Sequence, residues 1–375
     1  MADERFDAII VGGGLAGLCA GYVLAEAGKE VLIVERGNTC GSKNVTGGKL
    51  CTHSIEQIFP DFCDIAPVER EIIKEQVSDW VGTEVNSTRP APEVEGLTPS
   101  KAYSVIRAKL DNWLSEQVEE MGGMMIQGIL VDDLIVNEGK VCGVIAGGDE
   151  LEADVVILAE GINALLAERL GLRSPPAAES TCVGVKEVIQ LREDIINERL
   201  DLAAGEGLEW MFRGNREAGS YADGFLYTNQ DTISLGIEFT ISDIGLTEEG
   251  VGNMLERLKD VPEVAAIIDG GELVEYSAHM VHKGGAEVIG NLVGDGVLLV
   301  GDAAGLVANF GFVVRGMDLA IESGILAARA VIEAGESGDF SAAGLAGYQT
   351  AVENSFIASD MRLCAEYTAS HKTGW

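Results

Sequence analysis

The stretch FDAIIVGGGLAG, residues 6–17, opens with a short apolar run that ends in three consecutive glycines. The run has the composition of a buried strand, and the Leu- and Ala-rich residues 15–27 that follow have that of a helix. A second apolar run, residues 31–34, comes next and ends at Glu35. Strand, helix and strand in this order predict a βαβ unit with a parallel sheet, and therefore an α/β protein.

The glycines after the first strand have the spacing of a dinucleotide-binding turn. In the pattern Gly12-x-Gly14-x-x-Gly17, the first glycine permits the turn, the second lets the backbone approach a pyrophosphate, and the third lets the helix pack on the strand. The first amides of the helix can hold the phosphates. Glu35 stands where a carboxylate accepts hydrogen bonds from ribose hydroxyls. Together these features predict a Rossmann-type dinucleotide site.

A second glycine-rich turn indicates which dinucleotide is bound. Residues 297–305, VLLVGDAAG, are an apolar strand that delivers Asp302 into a loop. A buried carboxylate without partners is costly, so hydroxyl or amide donors are expected nearby. A ribityl chain supplies hydroxyls, and a loop so far along the chain from Gly12 suits an extended cofactor. The sequence therefore favours FAD over NAD.

Composition and charge exclude several other classes of protein. The chain carries 26 lysines and arginines against 61 acidic residues, a net charge of -35, which repels nucleic acids and anionic lipids. The 7 cysteines form no Cys-x-x-Cys pair, so neither a disulfide framework nor an iron–sulfur or zinc site is expected. His279 and His282 fall on opposite faces of a predicted strand, which argues against a metal site.

The same features indicate a cytosolic protein. The acidic N-terminus lacks the positive segment of a secretion signal. The apolar residues 296–314 are interrupted by glycines and by Asp302, so we predict strand, turn and loop there and no membrane span.

The rest of the chain predicts a discontinuous first domain. Alternating residues over 232–241 indicate an antiparallel sheet, and helices are predicted at 194–200 and 251–268. A buried strand at 297–300 and a helix at 316–334 then return to the first pattern. We expect an FAD-binding domain over 1–170 and 285–345, an inserted antiparallel-sheet α+β domain over 171–284, and a C-terminal helical tail over 346–375.

Several blocks of sequence resemble a known family. They are residues 41–48 (GSKNVTGG), 183–187 (VGVKE), 224–229 (GFLYTN) and 315–320 (RGMDLA). With the glycine turn, Glu160-Gly161 and Gly301-Asp302, they resemble the FixC branch of the electron-transfer-flavoprotein:quinone oxidoreductases. These belong to the glutathione-reductase-like flavoproteins, which also include geranylgeranyl reductases. The resemblance runs from Phe6 to about Arg362.

The resemblance implies FAD as the cofactor and assigns residues to it. Arg107 is expected at a phosphate or ribose edge, Asp302 at the ribityl chain, and the loops 43–48 and 311–316 at the isoalloxazine ring. Amides at Gly316 would stabilise negative charge on reduced flavin, and Arg315 either adds to this or forms a helix-end salt bridge. The expected cofactor-binding residues are Gly12, Gly14, Leu15, Ala16, Gly17, Glu35, Arg36, Lys43, Gly47, Gly48, Arg107, Glu160, Gly161, Gly301, Asp302, Gly311, Arg315 and Gly316.

Other polar residues have simpler interpretations. No catalytic acid, base or nucleophile is expected, because the flavin carries the chemistry. Lys43 is either a flavin contact or a solvated loop charge. We predict a surface ion pair between Lys186 and Glu187, and core packing for Tyr227.

The implied activity is an FAD-dependent oxidoreductase that passes electrons from an electron-transferring flavoprotein to quinone. A ferredoxin-like protein is a further implied partner, and peripheral contact with the inner face of the membrane stays open. One alternative is a geranylgeranyl or other isoprenoid lipid reductase, although residues 224–229 lack the Tyr-x-Trp-x-Phe-Pro block of that class. A second alternative is a non-catalytic FAD-binding docking subunit.

The chain departs from its relatives in three places. Glu160 stands where many relatives have aspartate, and we expect its role beside the flavin to survive. The iron–sulfur region of the full quinone oxidoreductases is missing, as it is in FixC-type proteins. The chain also stops at Trp375, before further C-terminal segments of the relatives, so quinone or membrane contacts made there would be lost.

Overall fold

Two large β-sheets, with helices packed against them, make up a computed structural model of the protein, which describes residues 5–43, 48–284 and 289–370. Its strands are β1 (Arg5–Val11), β2 (Val31–Glu35), β3 (Lys49–Cys51), β4 (Val68–Val81), β5 (Glu84–Pro90), β6 (Ala102–Val105), β7 (Met124–Gln127), β8 (Val131–Asn137), β9 (Lys140–Ala146), β10 (Asp149–Leu158), β11 (Thr181–Gln190), β12 (Glu206–Gly214), β13 (Ala222–Thr228), β14 (Thr232–Thr240), β15 (Glu272–His282), β16 (Val293–Gly294), β17 (Val297–Leu299), β18 (Ala308–Asn309) and β19 (Val314–Arg315). Its α-helices are α1 (Leu15–Glu26), α2 (Phe62–Ile65), α3 (Arg107–Glu120), α4 (Leu165–Arg169), α5 (Glu193–Leu200), α6 (Val251–Lys259), α7 (Pro262–Ile268), α8 (Met317–Ser337), α9 (Ala346–Asn354) and α10 (Phe356–Ser370).

The first sheet contains the βαβ unit that the sequence predicts. Its strands follow the order β16-β17-β10-β1-β2-β7, and β1 pairs in parallel with both β2 and β10. Helix α1 connects β1 to β2 and is buried except at Glu26, so its residues are apolar on every side. A Cβ atom on Gly324 of α8 would lie 2.1 Å from the carbonyl oxygen of Ala16, so α1 and α8 approach each other at backbone distance. The predicted parallel α/β sheet is confirmed.

The second sheet follows the order β15-β11-β14-β13-β12-β4-β6-β3, with β5 paired to β4. Its pairs are antiparallel except β12 and β4, which run in parallel. Strands β3 to β6 come from residues 49–105, a stretch that the sequence groups with the cofactor-binding part. Local composition does not reveal this, because a strand's partner is set by contacts far along the chain rather than by its own residues.

The predicted single helix over 251–268 is wrong. Two helices, α6 and α7, occupy this stretch, and Pro262 is the first residue of the second. Proline has no backbone N–H to continue a helix and forces the preceding residue into an extended conformation. Val261 accordingly has a ψ angle of 123°.

The predicted surface ion pair between Lys186 and Glu187 is also wrong. Both side chains are buried, and they pair with different partners: Lys186 Nζ lies 3.1 Å from Glu275, and Glu187 lies 3.0 Å from Lys259 Nζ. Neighbouring residues on a strand point to opposite faces of the sheet, so these two cannot reach each other. Strand β11 also lies between β14 and β15, which covers both of its edges.

Within residues 5–43, 48–284 and 289–370, no helix combines the length and the apolar composition needed to cross a membrane. The same residues contain no cluster of three or more histidine, cysteine or carboxylate side chains suited to a metal ion. The apolar stretch 296–314 instead contains β17, a 3-10 turn and β18.

Candidate functional site

A cleft of about 460 Å³ opens where the strands of the first sheet end. Gly12, Glu35 and Ala159, at the carboxyl ends of β1, β2 and β10, all line it. This is the edge at which open parallel sheets bind ligands. Glycines are frequent in the lining: Gly12, Gly13, Gly14, Gly41, Gly48, Gly161, Gly184, Gly301 and Gly316. A ligand here would therefore meet much bare backbone.

The turn between β1 and α1 is packed tightly enough to require glycine. A Cβ on Gly12 would lie 2.3 Å from the carbonyl oxygen of Ala159, and one on Gly17 would lie 2.1 Å from the carbonyl oxygen of Gly12. Gly12 also has a φ angle of 110°, which favours glycine. Helix α1 has no side-chain cap at Gly14, so its first amides face the cleft as donors. This end of the cleft suits a pyrophosphate.

Glu35 is held in a fixed orientation at the same end of the cleft. Its two carboxylate oxygens accept hydrogen bonds from the backbone amides of Gly13 at 2.8 Å and Gly37 at 2.5 Å. Each carboxylate oxygen has a second lone pair, so the group can still accept from hydroxyls of a ligand. Arg36 lines the cleft beside it. Glu35 therefore keeps acceptor capacity, and its contact with a ribose stays a prediction.

Arg107 brings a buried positive charge to the start of α1. Its Nε and Nη2 atoms donate to the two carboxylate oxygens of Asp111, each at 2.7 Å. Burial lowers the pKa of this guanidinium, but Asp111 outweighs burial and raises it overall, so the group stays charged. Nη2 also lies 3.8 Å from the position of a Cβ on Gly14. A cation beside a helix N-terminus reinforces the site's preference for anions.

The loop that carries Asp302 is tied to a residue that the sequence did not single out. Nη1 of Arg173 donates to the carbonyl oxygens of Asp302 at 2.6 Å and Ala303 at 2.9 Å. The Arg173 guanidinium also contacts His282 on β15. On the other side of the loop, the amide of Gly301 donates to Ser323 Oγ at 2.9 Å. Arg173 and Ser323 thus hold the loop from two sides, and Asp302 lines the cleft.

Glu160 lines the cleft and also caps a helix. Its carboxylate oxygens accept from the backbone amides of Leu166 at 3.0 Å and Ala167 at 3.1 Å, at the start of α4. Burial raises the pKa of this carboxyl, although the two amide hydrogen bonds favour its charged form. The acidic residue at this position therefore holds α4 in place beside Gly161.

The other end of the cleft lies between the two sheets. Gly316 lines it at the start of α8, which has no side-chain cap, so a second set of helix amides faces the cavity. Lys43, Gly48 and Tyr227 also line the cleft. Tyr227 was predicted to pack in the core. It is buried, and it also forms part of the cleft wall, where a Cβ on Gly48 would lie 3.3 Å from its ring.

Two of the expected flavin-side residues lie away from this cleft. Gly311 lines a separate cavity of about 110 Å³. Arg315 is buried behind the start of α8, where it binds Asp318 and donates to the carbonyl oxygen of Thr98 at 3.1 Å. Its guanidinium is thus in the helix-end ion pair that was the alternative for this residue, and its role toward the flavin stays a prediction.

The cleft brings together most of the expected cofactor-binding residues. They are Gly12, Gly14, Leu15, Ala16, Glu35, Arg36, Lys43, Gly48, Arg107, Glu160, Gly161, Gly301, Asp302 and Gly316. Gly17 lies behind the turn, where it packs α1 on β1. Gly47 falls outside the described residues. The sequence missed Lys49 and Met211, which also line the cleft, because a single lysine or methionine in a strand gives no local signal of a site.

The polar groups along the cleft fit a long, anionic dinucleotide. A carboxylate and a helix N-terminus form one end, an acidic loop the middle, and a second helix N-terminus the other end. Residues 5–204 match the FAD binding domain family. The fold and the cleft thus define an FAD-dependent oxidoreductase.

Comparison with curated proteins identifies the family. The chain is 46% identical to protein FixC of Escherichia coli K12 over 363 residues, which covers 97% of this chain and 85% of FixC. It is also 46% identical to the probable electron transfer flavoprotein-quinone oxidoreductase YdiS of the same organism, over 96% of this chain and 84% of YdiS. The chain therefore belongs to the FixC family.

Solved structures share the fold at low sequence identity. A geranylgeranyl bacteriochlorophyll reductase-like protein from Thermoplasma acidophilum superposes with a TM-score of 0.76 at 20% identity, covering 98% of this chain and 87% of that one. A point mutant of the halogenase PltM in complex with FAD superposes with a TM-score of 0.68 at 18% identity, covering 93% of this chain and 74% of that one. These likenesses concern the fold alone.

Proposed function

We propose that this oxidoreductase takes electrons from an electron-transferring flavoprotein and passes them to a quinone. The name of YdiS, which is 46% identical over nearly the whole chain, describes this activity for that protein. Bound FAD supplies the redox chemistry, because a flavin takes up and releases electrons while the protein sets its orientation and electrostatics.

The inner end of the cleft is the observation that carries this proposal. Met211, Phe225 and Tyr227 line the cleft together: the rings of Phe225 and Tyr227 are 5.7 Å apart, and the Tyr227 hydroxyl lies beside the Met211 sulfur. Apolar and aromatic side chains with a few polar groups are what a flat quinone ring requires. The dinucleotide end, around Gly12 and Glu35, is chemically different, so the ADP half of the cofactor and the acceptor have separate places in one cavity.

The chain's own residues would then bind and orient the cofactor. Amides at the start of α1 and the Arg107 guanidinium hold the pyrophosphate, and Glu35 accepts from the ribose. Asp302 accepts from the ribityl chain. Amides at Gly316 favour negative charge on the reduced ring. Lys43 and Gly48 border the ring side of the cleft.

The finer organisation belongs to the same proposal. We propose a glutathione-reductase-like FAD-binding domain over 1–170 and 285–345, whose strands β3 to β6 extend the sheet of an inserted domain over 171–284, and a C-terminal helical tail that begins at residue 346. A ferredoxin-like protein is a further partner. The protein works in the cytosol, with peripheral contact at the inner face of the membrane where its quinone is found.

A reductive titration of the purified protein tests the proposal. The FAD-loaded protein should be bleached by the reduced electron-transferring flavoprotein and reoxidised by a short-chain ubiquinone or menaquinone analogue, both followed at the visible flavin bands. Failure of either half-reaction would count against the proposal. Saturation of a geranylgeranyl lipid by the reduced protein would instead favour the isoprenoid reductase.

A further inference from the structure

Four side chains from four different strands form a connected polar cluster behind the inner end of the cleft. Lys49 Nζ on β3 donates to Glu209 Oε2 on β12 at 2.5 Å and to Glu75 Oε2 on β4 at 2.9 Å. The Tyr227 hydroxyl on β13 donates to the other oxygen of Glu209, Oε1, at 3.1 Å. We call Glu75, Lys49, Glu209 and Tyr227 the relay cluster.

The relay cluster spans the distance from solvent to the cleft. The Glu75 side chain is 35% exposed, whereas Lys49 is 5% and Glu209 2% exposed. At the other end, Tyr227 and Lys49 line the cleft. The chain of hydrogen bonds therefore has one end in water and the other at the inner end of the cleft, which is assigned above to the flavin ring and its acceptor.

The charges of the cluster favour retention of a proton. One ammonium faces two carboxylates, so the fully ionised cluster carries an excess negative charge beside the buried Glu209, which is unfavourable. Burial raises the pKa of Glu209, and Glu75 raises it further, while Lys49 acts in the opposite direction. Burial lowers the pKa of Lys49, but the two carboxylates outweigh burial and raise it overall.

The hydroxyl at the cleft stays protonated. Burial and the Glu209 carboxylate raise the pKa of Tyr227 well above its ordinary value. The other titratable groups that act on the cluster are Glu238 on β14, which acts on Tyr227 in the same direction, and the Cys51 thiol, which acts on Lys49. A protonated phenol on the cleft wall is a donor that can be reprotonated from behind.

We propose that the relay cluster conducts protons from solvent to the inner end of the cleft, with the Tyr227 hydroxyl as the last donor. The proposed relay rests on the proposed function in one respect: reduction of a flavin or a quinone consumes protons. The O–H bond of Tyr227 breaks and its proton passes to the acceptor in the cleft. The phenolate oxygen takes a proton from Glu209, whose carboxyl rotates after receiving it from Lys49 Nζ. Glu75 returns a proton from water to Lys49, so one proton crosses and no group is oxidised.

Proton uptake measured without any physiological partner tests the relay. The FAD-loaded protein is mixed in weak buffer with reduced methyl viologen, a donor whose oxidation neither binds nor releases protons. Flavin absorbance reports electron arrival, and a pH-indicator dye reports proton uptake. In Tyr227→Phe and Glu209→Gln we expect proton uptake to become roughly 100-fold slower relative to electron arrival.

A matched control and a rescue separate a relay from a structural role. Glu187 is a buried carboxylate on β11 of the same sheet that pairs with Lys259, so Glu187→Gln should leave uptake at the wild-type rate. A small diffusible acid such as formic acid should restore uptake in Tyr227→Phe. Tyr227→Phe keeps the ring and removes one hydroxyl, so it decides the question if Glu209→Gln does not fold or bind FAD.

If Tyr227→Phe takes up protons at the same rate as the wild-type protein, the proposed relay is overturned. Slowed uptake that formic acid does not relieve would also overturn it, because that result indicates a disturbed cleft rather than a missing donor. Since neither quinone nor flavoprotein partner is present, failure of the proposed electron transfer would leave this outcome unaffected.

Discussion

Gly12 lies so close to the end of β10 that a Cβ atom on it would stand 2.3 Å from the carbonyl oxygen of Ala159. The cofactor turn therefore rests directly on the neighbouring strand. Neither backbone can withdraw without breaking the parallel pairing between β1 and β10, which continues to Val11 and Leu158.

We expect Gly12→Ala to abolish FAD binding. The added methyl group meets the Ala159 carbonyl oxygen and also requires alanine at a φ angle of 110°. The measurement is the ratio of flavin to protein absorbance after purification.

Gly28→Ala is the control, because Gly28 has a φ angle of 73° but no atom within 4 Å of its Cβ position. It should lose only about 1 kcal/mol of stability and keep its flavin. Full flavin content in Gly12→Ala would contradict this view of the turn.

Asp111→Asn should destabilise the protein by about 3 kcal/mol, because it leaves the buried Arg107 guanidinium without its carboxylate. Both Arg107 hydrogen bonds to Asp111 measure 2.7 Å, and Asp111 is fully buried. Urea denaturation followed by circular dichroism measures the loss. Asp194→Asn removes a carboxylate from an exposed pair with Arg192 and should change stability by less than about 0.5 kcal/mol. Equal effects of the two substitutions would rule out a special role for the buried pair.

Arg173→Gln should weaken FAD binding by about tenfold, because the loop of Asp302 loses two of its hydrogen bonds. Titration of the FAD-free protein with FAD, followed by quenching of flavin fluorescence, gives the dissociation constant. Arg192→Gln is the control, since Arg192 is an exposed arginine that pairs with Asp194 and does not line the cleft. An unchanged dissociation constant in Arg173→Gln would show that the loop holds its shape without Arg173.

Glu238 should make stability fall with rising pH. Burial, with help from Asp223 and against Lys283, raises its pKa from 4.5 to about 7. The folded protein thus holds this proton more tightly than the unfolded chain does. The resulting stabilisation is complete below pH 4.5 and is lost as pH rises through about 7.

Between pH 5 and 8, wild-type protein should lose about 2 kcal/mol relative to Glu238→Gln, after allowance for the partial exposure of the side chain. Urea denaturation across this range measures the difference. Substitution of the exposed Glu150 by glutamine should leave the wild-type slope in place. Parallel pH profiles for wild type and Glu238→Gln would refute the prediction.

Local sequence predicted the first βαβ unit closely. The predicted helix over 15–27 is α1, Leu15–Glu26, and the predicted strand over 31–34 is β2. Glycine spacing and an unbroken apolar run are set by interactions among residues close together in the sequence. The βαβ unit could therefore be predicted without knowledge of its distant contacts. Pro262 gave a local signal as well, and the single helix over 251–268 was an error of interpretation rather than of missing information.

Residues that cooperate across the sheets could not be found in this way. Lys49 and Glu209 are 160 positions apart, and Arg173 and Asp302 are 129 apart. A lone lysine in a three-residue strand and a lone arginine in a loop carry no pattern. The contact of Lys49 with Glu209 depends on the pairing of β12 with β4, and that of Arg173 depends on where the Asp302 loop lies; local composition reveals neither.

By itself the sequence determined the cofactor turn, the acid at the end of β2, the glycine-rich loop of Asp302 and hence a dinucleotide site. These follow from steric demands that only glycine meets and from charges placed at strand ends. The tertiary structure alone decided which side chains lie around that site. Arg315 forms an ion pair with Asp318, and Tyr227, on the cleft wall, donates a hydrogen bond to Glu209. Side-chain partners depend on how the two sheets meet, and that geometry is set by the packing of the whole chain.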